Sequence, residues 1–181
     1  MSKFICLGNP PYGKGGLLAI KILNKCGDIS DDIRLVMPKS IRKPFCQNKI
    51  RTDLICTKDL DCEDSTFPNG IRAVVQHWSK TDVPREKIIL PRTHDDFQFL
   101  KYEERFRANV FIGEFGCGPS GRVKTENFTH YAKGHYFILA KDEKVIEKLV
   151  SLEPKFRAAA SQCNGRFHLS KGELVEIYTQ N

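Results

Sequence analysis

The feature that most constrains this chain is an apolar strand that ends in two consecutive prolines. The residues FICLGNPPYGKGG occupy positions 4–16, and their apolar run predicts a short buried strand over residues 3–8. The Gly-Asn-Pro-Pro sequence at 8–11 then ends that strand in a turn. Because each proline fixes its own φ, the turn is rigid before any ligand arrives. The sequence therefore predicts a stiff, polar turn at the end of a buried strand.

The segments that follow alternate between strand and helix. LLAIKILNKCG has apolar residues at helical spacing and stops at Gly27, and DDIRLVMPKS predicts a second strand that Pro38 ends. TDLICTKDL and GIRAVVQHWSK predict two further strands, with Trp78 in the core. This order is typical of half of an open α/β sheet, in which ligands bind beyond the carboxyl ends of the strands. The Asn-Pro-Pro-Tyr turn and the MPKS segment both leave their strands at that end.

A connection punctuated by prolines at 80–92 predicts a boundary between residues 1–80 and residues 81–181. In the second part, FRANVFIG predicts a strand that runs into a glycine-rich loop, and HYFILAKD predicts a strand followed by a short amphipathic helix. Ser170 and Glu173 have the spacing of a capping box and predict the start of a last helix. We therefore expect a smaller α+β portion after the boundary.

Composition and charge narrow the class of protein. A chain of 181 residues with 40% hydrophobic and 28% charged residues is typical of a soluble globular protein. It has no apolar run of about 18 residues, so we expect neither a membrane span nor a secretory signal. The seven cysteines contain no Cys-x-x-Cys pair, which favours reduced thiols and a cytoplasmic location. A net charge of +7 favours a polyanionic partner such as nucleic acid.

The residue types of the turn suit a reaction at an exocyclic amino group. The nitrogen of such a group shares its lone pair with the attached ring and therefore attacks poorly. The amide oxygen of Asn9 and the backbone carbonyl of Pro10 can both accept hydrogen bonds from the NH₂ and stabilise the positive charge that develops on it. Tyr12 can stack on a planar base that has been turned out of its duplex. The glycines after it let the chain pass close to a ligand.

The segment LGNPPYGKGGLLAIKILNKC resembles the catalytic motif (Asp/Asn/Ser)-Pro-Pro-(Tyr/Phe/Trp) of the amino-group methyltransferases that use S-adenosylmethionine. Asn-Pro-Pro-Tyr is typical of the adenine-specific DNA methyltransferases. It also occurs in the glutamine methyltransferases of release factors and in some RNA methyltransferases. IRLVMPKSIRKPFCQNKI is similar to the next strand and basic loop of small phage and bacterial members, and AVVQHWSK and LSKGELVEIY add a less specific similarity.

The resemblance implies a partial Rossmann-like methyltransferase sheet. Residues 1–80 would be its catalytic half, and residues 81–181 a portion for substrate recognition or an accessory role. The implied activity is methyl transfer to the amino group of adenine in DNA, in the cytoplasm of a bacterium or of a phage-infected host. Asn9, Pro10, Pro11 and Tyr12 would form the catalytic turn.

Basic residues near the turn and the glycine-rich loop are predicted to contact the nucleic-acid backbone. This set comprises Lys14, Lys39, Arg42, Lys43, Arg122 and Lys124. A solvated basic loop is equally consistent with the sequence around residues 39–43. The charge alone does not distinguish DNA from RNA.

The cofactor site is the part of the resemblance that is incomplete. In the family a Phe-x-Gly-x-Gly loop normally precedes the catalytic motif, whereas eight residues precede Asn9 here. In one alternative the chain is circularly permuted, so that Gly116, Gly118 and Gly121 form the cofactor loop and Asp142 ends the next strand. In another, this loop faces the substrate and contacts the nucleic-acid backbone through Arg122 and Lys124.

A further alternative places the cofactor half on a separate polypeptide, or supposes that it has been lost. The chain would then bind nucleic acid or a partner without catalysis. A truncated sheet would expose an edge strand and an apolar face, and we would expect a partner chain or a second copy to pair with it. If this chain does hold S-adenosylmethionine, the sequence offers Gly8, Gly116 and Gly118 as contacts. His94, His130 and His135 lie far apart in sequence and predict no metal site.

Overall fold

The computed structural model describes residues 4–63, 66–67, 71–116, 120–126 and 134–181. They form two compact units, Met1–Ile89 with Cys163–Gly165 and Leu90–Gln162 with Arg166–Asn181. The division therefore falls at residues 89 and 90, inside the proline-punctuated connection. The guanidinium of Arg85 donates hydrogen bonds to the carbonyls of Gln47, Ile50 and Leu54, which holds residues 81–89 in the N-terminal unit.

The N-terminal unit is built on a four-stranded sheet with the order β1-β2-β4-β3. Its strands are β1 (Ile5–Gly8), β2 (Asp32–Pro38), β3 (Leu54–Asp61) and β4 (Ala73–Lys80), and its helices are α1 (Leu17–Ile29) and α2 (Pro44–Gln47). β1 and β2 are parallel and joined by α1, whereas β4 is antiparallel to both of its neighbours. The first two strands thus form the predicted βαβ unit, and a β3–β4 hairpin extends the sheet from β2.

The core of this unit lies on the side of the sheet that α1 covers. Ala19, Ile20 and Leu23 of α1 pack against alternate residues of β2 and against Trp78 of β4. Trp78 is 1% exposed, which confirms its predicted place in the core. Successive residues of a strand point to opposite faces of the sheet. These side chains therefore fill the face under α1, and the residues between them point to the other face.

Helix α1 continues past the residue at which the sequence predicted its end. It runs through Gly27 to Ile29, and Ser30 follows in extended conformation. A Cβ at Gly27 would lie 3.1 Å from Leu54 Cδ1, so the glycine serves close packing of the helix on β3. The prediction of a stop at Gly27 was wrong because a tertiary contact, and not a turn, requires the missing side chain.

The prediction that β1 is buried was also wrong. Phe4, Ile5 and Leu7 are 69%, 53% and 71% exposed, and only Cys6 of the strand packs against the core. Within the described residues β1 pairs with β2 alone, so it is an edge strand. A continuous apolar run is typical of a parallel strand covered on both faces, and for this reason the sequence of β1 predicted a buried strand.

The C-terminal unit is built on an antiparallel four-stranded sheet with the order β5-β8-β6-β7. Its strands are β5 (Phe97–Leu100), β6 (Val110–Gly113), β7 (Val123–Lys124) and β8 (His135–Ala140). Its helices are α3 (Glu143–Ser151), α4 (Glu153–Ala160) and α5 (Lys171–Thr179), which share one core with β5, β6 and β8. Ser170 and Glu173 form the predicted capping box of α5.

The chain is thus a mixed α/β protein with two small sheets, in agreement with the coarse expectation from the sequence. In the parts of the chain that the structure describes, no helix has the length and apolar character needed to cross a bilayer.

Candidate active site

The Asn-Pro-Pro-Tyr turn leaves the carboxyl end of β1 and is fixed to α1. Asn9 and Pro11 are exposed, Pro10 is buried and Tyr12 is half-buried. The carbonyl of Tyr12 accepts hydrogen bonds from the backbone N–H groups of Leu18 and Ala19, at 3.1 and 3.4 Å. These bonds and the two fixed proline φ angles hold the turn in one conformation.

Two hydrogen-bond acceptors on this turn are unused. Neither the side-chain amide of Asn9 nor the carbonyl of Pro10 forms a hydrogen bond with any residue that the structure describes. Asn9 is exposed, so its amide is directed to solvent and not into the core. The turn therefore exposes the Asn9 amide to a ligand, and the carbonyl of the buried Pro10 beside it has no partner among the described residues.

Glycines pack the loop after the turn against its neighbours. Gly13, Gly15 and Gly16 all have positive φ, between 62° and 78°. A Cβ at Gly13 would lie 2.7 Å from Leu18 Cβ, and one at Gly16 would lie 2.9 Å from Pro38 Cγ, whereas a Cβ at Gly15 would meet no atom within 4 Å beyond its chain neighbours. The loop after β1 thus touches the end of β2, and it leaves open space above Gly15.

Tyr12 has a buried hydroxyl without a partner. Its ring packs against the core of the N-terminal unit, and its Oη is buried with no hydrogen bond to the described residues. Burial raises the pKa of Tyr12, with a smaller contribution from Cys62, so the phenol stays neutral at physiological pH. Ser40 Oγ is the second such atom, on a residue 8% exposed at the end of β2.

Lys39 and Arg42 lie in the loop after β2, beside the turn as predicted, but their charges are matched by carboxylates. Lys39 Nζ lies 3.0 Å from Asp61 Oδ1. Arg42 donates to both oxygens of Asp59, at 3.0 and 2.7 Å, and to Asp61 at 2.9 Å. The hydrogen bond from Lys39, followed by that from Arg42, lowers the pKa of Asp61. This network fixes the loop. It also pairs Lys39 and Arg42, two of the residues predicted to contact phosphate, with carboxylates of the protein.

The other predicted contacts differ in their surroundings. Lys43 is 8% exposed and therefore buried. Lys14 is exposed beside the turn and forms no ion pair within the described part of the chain. Arg122 and Lys124 are exposed in the C-terminal unit, at and before β7. The structure therefore brings Lys14, Lys39 and Arg42 to the carboxyl end of β1 and β2, and places Arg122 and Lys124 in the other unit.

The glycine-rich loop of the C-terminal unit has a structural explanation. Gly116 donates its N–H to the carbonyl of Phe167, and Gly118 lies outside the described residues. A Cβ at Gly121 would lie 2.7 Å from the backbone of Phe156 and Arg157, so this glycine allows α4 to pack closely. Strand β7 follows the loop, whereas a nucleotide-binding loop leads into a helix.

Asp142, the acidic residue of the permuted arrangement, caps a helix. Its Oδ1 accepts a hydrogen bond from the N–H of Val145 at 3.0 Å, which makes it the N-cap of α3. Gly8 is exposed at the end of β1, and a Cβ added to it would lie 3.9 Å from Leu35 Cδ2. Gly121 and Asp142 thus serve the packing of α4 and the start of α3, roles that differ from those of the permuted cofactor loop.

Comparisons with protein-family models, with curated proteins and with solved structures find no match to this chain. Among the residues described, no three His, Cys, Asp or Glu side chains are grouped so that they could hold a metal ion.

Proposed function

We propose that the N-terminal unit is the substrate-binding half of an amino-group methyltransferase whose target is adenine in DNA. The observation that carries the proposal is the pair of unused acceptors, Asn9 and Pro10, on a rigid turn at the carboxyl end of a parallel strand. Parallel α/β sheets bind their ligands at that end. The resemblance of the turn to the Asn-Pro-Pro-Tyr motif supports the choice of substrate.

The turn acts on the amino group of the substrate. Asn9 Oδ1 and the Pro10 carbonyl each accept one N–H of the NH₂, which localises the nitrogen lone pair and stabilises positive charge on the nitrogen. Because the turn is rigid, little conformational entropy is lost when the base binds. S-adenosylmethionine would supply the electrophilic methyl group. A nitrogen that carries positive charge is acidic, so no strongly basic side chain is needed to remove its proton.

Tyr12 has a more restricted role than the sequence predicted. Its hydroxyl is buried among core residues and cannot contact a base. Stacking on the substrate therefore involves only the part of the ring that stays accessible. The space on the side of Gly15 where a Cβ would lie leaves room for the base next to the turn.

The test is transfer of a labelled methyl group from S-adenosylmethionine to unmethylated DNA. We expect Asn9→Ala to lower the rate on the order of 10²-fold, the effect of removing one oriented dipole from a developing charge. Asn181→Ala, a change of the same type at another exposed asparagine, is the matched control and should leave the rate unchanged. Equal rates for the wild type and Asn9→Ala would remove Asn9 from the mechanism.

The exposed edge strand favours a second candidate function. β1 exposes the apolar side chains of Phe4, Ile5 and Leu7, as expected of a half-sheet that pairs with a partner chain. In this alternative the chain binds nucleic acid or that partner without catalysis. Titration of S-adenosylmethionine into the protein, followed by calorimetry, separates the two. No heat of binding, together with DNA binding that weakens with salt, would favour the second candidate.

A further inference from the structure

A groove of about 690 Å³ lies against β5, the end strand of the C-terminal sheet. We call it the β5 groove and define it by Arg92, His94, Phe99, Lys141 and Lys171, which line it. The three cationic residues are exposed. The groove is therefore open along the surface, which suits an extended ligand better than an enclosed one.

We propose that the β5 groove binds the phosphodiester backbone of nucleic acid. For the class of ligand this inference rests on the proposed function, and for the location it rests on the charges of the groove. It goes beyond the residues that the sequence singled out, because Arg92, Lys141 and Lys171 were not among the predicted phosphate contacts.

The cations of the β5 groove are not neutralised by the protein. Arg92, Lys141 and Lys171 form no ion pair within the described residues. Lys39 and Arg42, by contrast, are matched by Asp59 and Asp61. A cation without an internal partner loses no existing ion pair when it binds a phosphate. The groove is thus better prepared for a polyanion than the basic loop after β2.

Two carboxylates also line the groove, and one of them is engaged elsewhere. Asp96 Oδ2 accepts a hydrogen bond from the Tyr178 hydroxyl at 2.8 Å and lies 3.7 Å from His94 Nδ1. Burial, followed by this bond, raises the pKa of Tyr178, so it remains a donor. Asp95 is exposed and unengaged in any ion pair of the described residues. Three cations against these two acids leave the groove net positive.

Lys171 is held in place before a ligand arrives. Its Nζ lies 4.9 Å from the centroid of the Phe99 ring and 5.9 Å from that of Tyr136. Contact of an ammonium with an aromatic face is attractive and therefore restricts the positions that the Lys171 ammonium adopts. The capping box of Ser170 and Glu173 already supplies hydrogen-bond acceptors to backbone N–H groups at the start of α5. The anion would therefore be bound by the Lys171 side chain and not by the end of the helix.

The experiment measures binding of a fluorescein-labelled DNA duplex and of its single strand by anisotropy over a range of salt concentrations. The variant Arg92→Ala/Lys141→Ala/Lys171→Ala removes the cations of the groove. Its control, Lys144→Ala/Lys155→Ala/Arg166→Ala, removes the same charge from exposed positions that do not line the groove. Thermal unfolding of both variants verifies that they are folded.

We expect the groove variant to bind duplex about tenfold or more weakly at about 0.1 M salt, and its plot of log K against log salt to be flatter by about 2 to 3, since each phosphate contact contributes about 0.9. The control should keep a slope close to that of the wild type. Equal losses in the two variants would mean that only net charge matters, and unchanged binding in the groove variant would equally overturn the proposal. The charge reversal Lys171→Glu provides a second test if the triple variant does not fold.

Failure of this inference can be told apart from failure of the proposed function. Asn9→Ala should bind DNA like the wild type while it loses methyl transfer. If the wild type transfers no methyl group and the groove variant still binds weakly, only the proposed function fails. If the wild type transfers methyl groups and the groove variant binds DNA normally, only the groove is excluded.

Discussion

At the scale of single residues, two tyrosine hydroxyls show what a hydrogen-bond partner contributes. Tyr12 Oη is buried without one, whereas Tyr178 Oη donates to Asp96 at 2.8 Å. We expect Tyr12→Phe to raise the free energy of unfolding by up to about 1 kcal/mol, because it removes an unsatisfied buried group. We expect Tyr178→Phe to lower it by about 1 to 2 kcal/mol, because it removes a bond to a carboxylate. Urea denaturation measures both, and a loss of stability in Tyr12→Phe would show that its hydroxyl has a partner after all.

At the same scale, local signals could be predicted from the sequence and tertiary partners could not. The capping box of Ser170 and Glu173 follows from spacing alone, and so does the end of β2 at Pro38. The pairing of Arg42 with Asp59 depends instead on how β3 folds back along β4 and approaches the loop after β2. No pattern near Arg42 in the sequence indicates that its charge is already matched.

At the scale of elements, β1 and β2 have similar apolar sequences and opposite environments. Leu7 of β1 is 71% exposed, and Leu35 of β2 is 3% exposed. We expect Leu35→Ala to lower the free energy of unfolding by about 2 to 5 kcal/mol, and Leu7→Lys to change it by less than about 0.5 kcal/mol. Leu7→Lys should also reduce binding of a hydrophobic dye. A large destabilisation by Leu7→Lys would show that the outer side of β1 is covered in solution.

The strands of the N-terminal unit and helix α1 were predicted, and three elements of the C-terminal unit were not. The long run of α1 and the strands β2, β3 and β4 agree with their predicted segments to within a few residues. β5, β7 and α4 were missed: two are strands of four and two residues, and α4 begins at a Glu-Pro pair without a side-chain cap. The parallel pairing of β1 and β2 followed from the helix between them. The edge position of β1 did not, because an apolar run does not reveal which neighbours a strand lacks.

At the scale of the whole molecule, the two units have separate cores. Leu23 and Leu149 are both 0% exposed, Leu23 in the N-terminal core and Leu149 in the C-terminal one. We expect Leu23→Ala or Leu149→Ala to lower the free energy of unfolding of its own unit by about 2 to 5 kcal/mol. Hydrogen exchange would then show lower protection in that unit while the other keeps its own. Equal loss of protection in both units after a single change would mean that the chain unfolds as one cooperative body.

The strand that carries the Asn-Pro-Pro-Tyr turn has the shortest pairing in its sheet, four residues with β2. β1 has one hydrogen-bonded neighbour, and the Ser30 hydroxyl ties its start to the chain through the carbonyl of Phe4. Segments with few buried contacts open at a lower cost in free energy than the interior of a sheet. Warming is therefore expected to loosen β1, and with it Asn9 and Pro10, while α1 and β2 stay folded. If the proposed methyl transfer takes place, its rate would then fall below the melting temperature of the unit, and a partner that covers the exposed edge of β1 would move that loss to a higher temperature.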